Sequence, residues 1–148
     1  IVSPSMAPAT RGTTQTGTLW ALAEGEAGGA TSAETYILIA NTSAFSGRAR
    51  VTLHYEDGSR ESALVSLPAS TRRTIAAGYQ PEFTKATQQP FGATIEALAE
   101  TEGGTDVPQI VVERAMYSAD SARAFEHLFS PYRPYWPAGT NAVGTRLR

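Results

Sequence analysis

The sequence predicts an all-β protein, an antiparallel β-sandwich of about seven or eight strands. Three observations support this fold class. Short apolar runs of about five to nine residues alternate with turn-forming residues. Within the runs, large and polar side chains alternate, which is typical of strands that bury one face. No stretch shows a convincing 3.6-residue period, so a helical core is not expected.

Seven apolar runs are predicted to form strands. They are Leu19–Ala23, Glu34–Ala40, Arg48–Tyr55, Glu61–Leu67, Arg72–Ala76, Gly92–Ala99 and Gln109–Tyr117. The clearest pair surrounds Asp57-Gly58, because this dipeptide readily adopts the positive φ angles of a tight hairpin turn. Pro68 is expected to end the second strand of that hairpin, since proline has no N–H group to donate to a ladder.

The remaining segments are assigned by composition. Residues 1–18 are rich in Pro, Gly, Ser and Thr, which predicts a linker or an extended N-terminal segment ahead of a sandwich at residues 19–148. Gly78–Pro90 is expected to be a loop, and Ala119–Phe129 is a candidate for a short helix. Because the chain starts with Ile1 rather than Met, we expect it to come from a longer precursor.

Composition argues against several function classes. A net charge of -2 gives no basic surface for nucleic acid, and no apolar run is long enough for membrane insertion. Cysteine is absent and the two histidines are scattered, so no cofactor or metal is expected. Asn41-Thr42-Ser43 matches an N-glycosylation pattern that we interpret as incidental. The low charge content, 18%, favours a secreted bacterial β-protein, placed outside the cell or at its surface.

Glu24 and Arg114 break the apolar pattern of two predicted strands. Glu24 shares a face with Trp20, and Arg114 shares a face with Val112. A lone buried charge costs several kcal/mol, so we expect the two side chains to enter the core together as an ion pair. Gly25 would allow the backbone to approach closely at this point.

The end of the chain repeats its beginning. Gly12–Trp20 and Gly139–Leu147 both contain Gly-Thr-x-x-x-Gly-Thr, 127 positions apart. This spacing is about one domain length and indicates a module of a head-to-tail array, although Gly and Thr are abundant enough for a chance match. The C-terminal copy is expected to form a last edge strand or the linker to the next module. The N-terminal copy is expected to add a strand to a neighbouring sandwich, through Thr13, Thr14, Gln15, Thr16, Gly17, Thr18, Leu19 and Trp20.

An aromatic-rich insertion at about residues 119–137 holds five of the thirteen aromatic residues and three prolines. Stiff aromatic segments suit contact surfaces, because Tyr and Trp bury a large area at a small entropic cost. The alternative is that these side chains cover one open end of the sandwich. The candidate contact residues are Phe125, Phe129, Tyr132, Arg133, Tyr135 and Trp136.

Four strings in the chain carry a resemblance to a known family. They are WALAEG at 20–25, TYILIAN at 35–41, VERAMY at 112–117 and GTNAVGT at 139–145. Over about residues 16–147 the chain resembles an uncharacterised family of secreted, Ig-like β-sandwich modules found in tandem in large exported proteins. The resemblance implies an Ig-like fold, a non-catalytic extracellular role and no catalytic residue. Such modules look shorter than this chain between Tyr117 and Gly139.

The leading functional hypothesis is a non-catalytic structural or assembly module of an exported or cell-surface protein. Its partners would be identical neighbouring modules or subunits, in a homo-oligomer or a tandem array. The alternative is a carbohydrate- or partner-binding module that uses the aromatic segment 125–136. An enzyme would depend on Glu24, Glu26 or Glu113 as general acid or base, which requires a pocket around them.

Overall fold

The computed structural model describes residues 15–30, 32–117 and 140–147, with only the backbone described at residues 140–143. In this part, nine strands and one short 3-10 helix (Ala77–Tyr79) form two antiparallel sheets. The strands are β1 Leu19–Gly25, β2 Glu34–Asn41, β3 Gly47–Tyr55, β4 Arg60–Leu67, β5 Arg72–Ala76, β6 Phe91–Ala99, β7 Ile110–Tyr117, β8 Thr140–Val143 and β9 Thr145–Arg146. The predicted β-sandwich is confirmed, and the seven predicted strands correspond to β1–β7.

The chain crosses between the two sheets at most of its connections. The five-stranded sheet has the order β4-β3-β6-β1-β9, and the four-stranded sheet has the order β5-β2-β7-β8. Among the described strands, only β3–β4 and β7–β8 are neighbours both in sequence and in a sheet. Each remaining connection links the two sheets, so most of the pairing joins strands that are distant in sequence.

The β3–β4 hairpin follows from its turn residues. The Gly58 N–H donates to the Tyr55 carbonyl at 3.0 Å, and Tyr55 pairs with Ser59 across a three-residue loop. Gly58 has φ +80°, and nothing lies within 4 Å of the position of its missing Cβ. Glycine is therefore required by the left-handed backbone rather than by lack of space. The hairpin prediction is confirmed.

The core lies between the inner faces of the two sheets. Trp20 of β1 is 2% exposed and is the largest side chain in it. The inner faces of both sheets supply fully buried aliphatic residues, among them Ile37, Ile39, Val51, Leu53, Ile95, Ile110 and Val112. Burial of side chains of this size stabilises the fold by about 1.5–3 kcal/mol each.

Asn41 is a buried polar residue at the end of β2, 3% exposed. Its Nδ2 group donates to the carbonyls of Phe45, Leu67 and Pro68 at 3.0–3.1 Å, and its Oδ1 accepts from the Ser43 N–H at 2.9 Å. The amide joins β2 to the loop before β3 and to the β4–β5 connection. Because its amide is buried and fully bonded, Asn41 is not available to a glycosylating enzyme in the folded protein.

The loop predicted at Gly78–Pro90 is present, and both buried side chains and surface contacts hold it to the rest of the fold. Phe83 and Ala86 are buried in the core. Above them, the Lys85 ammonium lies 3.0 Å from the Asp57 carboxylate and 2.8 Å from the Ser59 hydroxyl. The β3–β4 turn therefore holds this loop against the end of the sandwich.

Candidate functional site

The predicted partners Glu24 and Arg114 do meet, but not in the core. Arg114 extends from the inner face of β7, and its side chain is 12% exposed. Its Nη1 donates to the Glu24 backbone carbonyl at 2.7 Å and lies 3.5 Å from the carboxylate. The Glu24 side chain is 68% exposed, so the prediction that it enters the core is wrong. The stronger contact of Arg114 is with the backbone of β1.

A β-bulge explains the position of Glu24. The register of β1 on β6 runs regularly to Leu22 opposite Ala93, then shifts so that Gly25 lies opposite Phe91. The two residues before Gly25 are both exposed, and Gly25 takes the inward position. A Cβ at Gly25 would overlap the Phe91 ring, which confirms the predicted close approach at this glycine. Glycine in a strand is a recognised signal for a bulge, and strict alternation overlooked it.

The C-terminal Gly-Thr copy forms the edges of both sheets. Its first part is β8, which pairs with β7, and its second part is β9, which pairs with β1. The chain changes sheet at Gly144, which is buried and whose N–H donates to the Val112 carbonyl at 2.7 Å. A Cβ there would lie 3.2 Å from the Leu22 side chain. The expectation of a last edge strand is confirmed, and a side chain at Gly144 would crowd the crossover.

The N-terminal Gly-Thr copy also pairs within its own sandwich. Gly17 exchanges two backbone hydrogen bonds with Ile110, at 3.1 and 2.8 Å. The Thr18 carbonyl accepts from Ala97, and Trp20 is the most deeply placed aromatic of the core. For residues 17–20, the prediction of strand addition to a neighbour is wrong, because their own sheets already occupy these backbone groups. Ordered pairing thus starts before the predicted boundary at residue 19.

Of the remaining residues of the predicted strand-addition segment, only Gln15 and Thr16 lie in the described part of the chain. The Thr16 hydroxyl donates to the Gln109 side chain at 3.1 Å, and the Thr16 carbonyl accepts from the Arg146 guanidinium at 3.1 Å. Gln15 also takes part in an interaction of the fold. Thr13 and Thr14 lie outside the described residues. The Leu147 N–H donates to the carbonyl of β1 residue Leu19 at 2.8 Å, so the residue after β9 also pairs with β1.

The predicted contact residues of the aromatic insertion lie outside the described residues. These are Phe125, Phe129, Tyr132, Arg133, Tyr135 and Trp136, together with the candidate helix Ala119–Phe129. The described strands that flank the segment are β7, which ends at Tyr117, and β8, which starts at Thr140. The contact role of this segment stays a prediction.

The outer face of the five-stranded sheet is largely polar, although Leu64, opposite Arg50, is 54% exposed on it. Hydrogen-bonded or ionic pairs join neighbouring strands across it: Arg50–Glu96 at 2.9 Å, Thr52–Ser62 at 2.8 Å and His54–Thr94 at 2.9 Å. We call this surface the polar face. Such a pattern is what an antiparallel sheet presents to water.

The outer face of the four-stranded sheet is different. Residues that lie directly opposite each other in adjacent strands share a face, and here they are mostly apolar. We call this surface the apolar face; its half-buried members are Tyr36, Leu38, Ala40, Ala76, Val111 and Ala115. Glu113, opposite Leu38, adds one carboxylate, and Arg72 and Thr74 form its β5 side. The sequence already indicated this apolar face, since the residues on both faces of β2 are mostly apolar.

Two of the three candidate acid and base residues, Glu24 and Glu113, lie in different sheets. Glu113 faces outward from the four-stranded sheet, whereas Glu24 belongs to the five-stranded sheet and contacts Arg114. Within the part of the chain that the structure describes, no group of three or more His, Asp or Glu side chains is arranged to hold a metal ion. Over the same residues, no helix has the length and apolar character needed to span a membrane.

Comparison with known proteins supports the fold of this chain and nothing more specific. No protein-family model matches the chain, and no curated protein matches it. The crystal structure of Thermotoga maritima 1070 is similar with a TM-score of 0.62 and 12% identity, over 88% of this chain and 95% of that one. The Anabaena sensory rhodopsin transducer is similar with a TM-score of 0.50 and 20% identity, over 68% of this chain and 97% of that one. At such identities the similarity supports a shared architecture, and the family resemblance read from the sequence strings stays a prediction.

Proposed function

We propose that this chain is a non-catalytic assembly module that associates with a second copy of itself through the apolar face. The contrast between the two outer faces carries the proposal. A β-sandwich in water is expected to be polar on both outer faces. Here one face has cross-strand polar pairs, whereas Leu38, Ala40 and Ala115 occupy the other. A contiguous apolar patch on an otherwise polar module is typical of a contact surface.

The size of the apolar face indicates how strong this contact is. The four strands of this sheet have four to eight residues and together cover about 400 Å², at about 3.4 Å per residue and 4.8 Å between strands. A stable interface buries about 800 Å² per partner, so this face by itself supports a weak, reversible association. In a tandem array, linked modules meet at effective concentrations of about millimolar, where a weak contact becomes populated.

Neighbouring modules would meet through their apolar faces rather than through addition of the N-terminal segment to a neighbouring sheet. Because residues 17–20 pair within their own sandwich, the N-terminal copy is not needed to join neighbours.

We extend the proposal to an exported or cell-surface location, which rests on composition. The low charge content of 18% and the abundance of small polar residues support it. Fractionation of cells that express the complete precursor tests the location. Recovery of the protein in the cytosolic fraction would contradict it.

Sedimentation velocity from micromolar to millimolar concentration tests the association. Leu38→Arg places a cation in the centre of the apolar face, beside Glu113, and should abolish the concentration-dependent rise in sedimentation coefficient. Ala115→Arg should do the same. Thr52→Arg, at the centre of the polar face, is the matched control and should leave association unchanged. A wild-type protein that stays monomeric throughout, or equal effects on both faces, would overturn the proposal.

A further inference from the structure

A cleft opens where the β1–β2 loop, the start of β2 and the 3-10 helix meet. It has a volume of about 230 Å³, and small, polar and aromatic residues line it, among them Gly28, Ser32, Glu34, Tyr36, Gly78 and Tyr79. Drug-sized ligands occupy pockets of about 300–1,000 Å³, so this cleft suits a smaller group. It lies beside the N-terminal end of β2 and shares Tyr36 and Ala76 with the apolar face.

The carboxylate of Glu34 organises the cleft. One oxygen accepts from the Tyr36 hydroxyl at 3.0 Å and the other accepts from the Tyr79 hydroxyl at 3.2 Å. Among the described residues, no Lys, Arg or His group lies within ion-pair distance of Glu34. Both of its described side-chain partners are neutral donors, so its negative charge has no cationic counterpart there.

Two aromatic rings stand beside this carboxylate. Tyr36 is held by an edge-to-face contact with Tyr117, with ring centroids 6.0 Å apart. Tyr79 is 73% exposed, although its hydroxyl is bonded to Glu34. The hydrogen bond to Glu34, followed by burial, raises the pKa of Tyr36 above its usual value, so the hydroxyl stays a donor at neutral pH. The ring of Tyr79 is thus oriented by its hydroxyl while much of it stays accessible.

The walls of the cleft are preformed. Gly28 and Ala33 exchange backbone hydrogen bonds at 2.7 and 2.9 Å, which closes the β1–β2 loop into a tight turn. The Thr35 hydroxyl donates to the Glu26 carbonyl at 2.7 Å and accepts from the Glu26 N–H at 2.9 Å. A Cβ at Gly78 would lie only 3.0 Å from the Ala27 methyl group, so the opposite wall is closely packed as well. Little ordering is left for a ligand to impose.

We infer that this cleft binds a small organic ammonium group, of the size of trimethylammonium. A carboxylate without a cationic partner attracts a positive charge, and the negative faces of tyrosine rings add a cation–π contribution. Anionic ligands are disfavoured, because Glu34 repels them and no cation of the described cleft lining would receive them. A neutral sugar would gain nothing from the charge and would compete for carboxylate oxygens that the tyrosines already use.

Titration of the ¹⁵N-labelled protein with choline tests this inference. Choline should shift the backbone amides of Gly28, Ser32 and Gly78. Its carbon isostere 3,3-dimethylbutanol has the same shape without the charge and should shift them much less. A peptide that carries trimethyllysine, titrated in parallel, distinguishes a free ammonium compound from the side chain of a protein partner, and binding of either supports the inference.

Three variants separate charge from shape. Glu34→Gln should weaken choline binding by about tenfold or more, since it removes the counter-charge at constant size. Tyr79→Leu should weaken it more than Tyr79→Phe, which keeps the ring but loses the hydroxyl that orients it. Glu96→Gln, a carboxylate change on the polar face, is the control and should have no effect. Equal binding of 3,3-dimethylbutanol, unchanged binding in Glu34→Gln, or shifts with glucose but not with choline would overturn the inference.

Discussion

Asn41→Asp should destabilise this sandwich more than its small chemical change suggests. The substitution keeps the shape of the side chain but replaces two N–H groups, which serve three backbone carbonyls, with an oxygen that repels them. Each lost hydrogen bond costs about 1 kcal/mol, and a buried carbonyl left without a donor costs about 1–3 kcal/mol. We therefore expect the free energy of unfolding to fall by about 4 kcal/mol at neutral pH, a large part of the 5–15 kcal/mol of an ordinary domain.

The penalty should also depend on pH. The carbonyls around the introduced carboxyl disfavour its charged form and raise its folded-state pKa above the unfolded value of about 3.9. The cost is therefore complete above the folded-state pKa and shrinks as the pH falls toward the unfolded value, because the protonated acid regains one donor. Urea unfolding followed by circular dichroism at pH 7 and pH 5 measures both effects.

Gln88→Glu is the matched control for this experiment. It makes the same amide-to-carboxylate change at an exposed side chain, whose Nε2 makes one hydrogen bond of 3.2 Å to the Thr84 carbonyl. Its unfolding free energy should stay within about 0.5 kcal/mol of the wild type. The reasoning is refuted if Asn41→Asp is equally mild, or if its penalty grows as the pH falls.

Three further predictions follow from the bulge, the arginine and the hairpin. Gly25→Ala should cost about 1–3 kcal/mol through overlap with the Phe91 ring, and adding Phe91→Leu should recover part of it in urea unfolding. Arg114→Met should lower the free energy of unfolding by no more than about 1.5 kcal/mol, because it also removes an Nε that is buried without a partner among the described residues. A loss above about 3 kcal/mol would contradict this. Hydrogen bonds from Ser59, followed by one from the neighbouring lysine, lower the pKa of Asp57, so its stabilisation is present above about pH 4 and is lost below it. Asp57→Asn should flatten the decline of the urea midpoint in acid, and an unchanged acid profile would count against this role.

The sequence by itself determined the features that depend on neighbours along the chain. The β3–β4 hairpin follows from Asp57-Gly58, whose backbone requirement is local. The buried side chains of β2 and β3 follow from a two-residue period, which is the same in any sheet that buries one face. The apolar outer residues of β2, such as Leu38 and Ala40, were also visible, but their meaning depended on which strands would surround them.

Only the tertiary structure decided how those strands pair. Alternation placed Glu24 inside, whereas the bulge of β1 against β6 turned it outward, because the register of one strand is set by its partner. The two Gly-Thr copies suggested modules that reach for one another; the fold instead brings Trp20 and Arg146 opposite each other in one sheet. The Glu34 cleft joins residues from β2 and the 3-10 helix that no spacing rule connects. Contacts between distant segments depend on closure of the whole sandwich, and the local pattern does not contain that information.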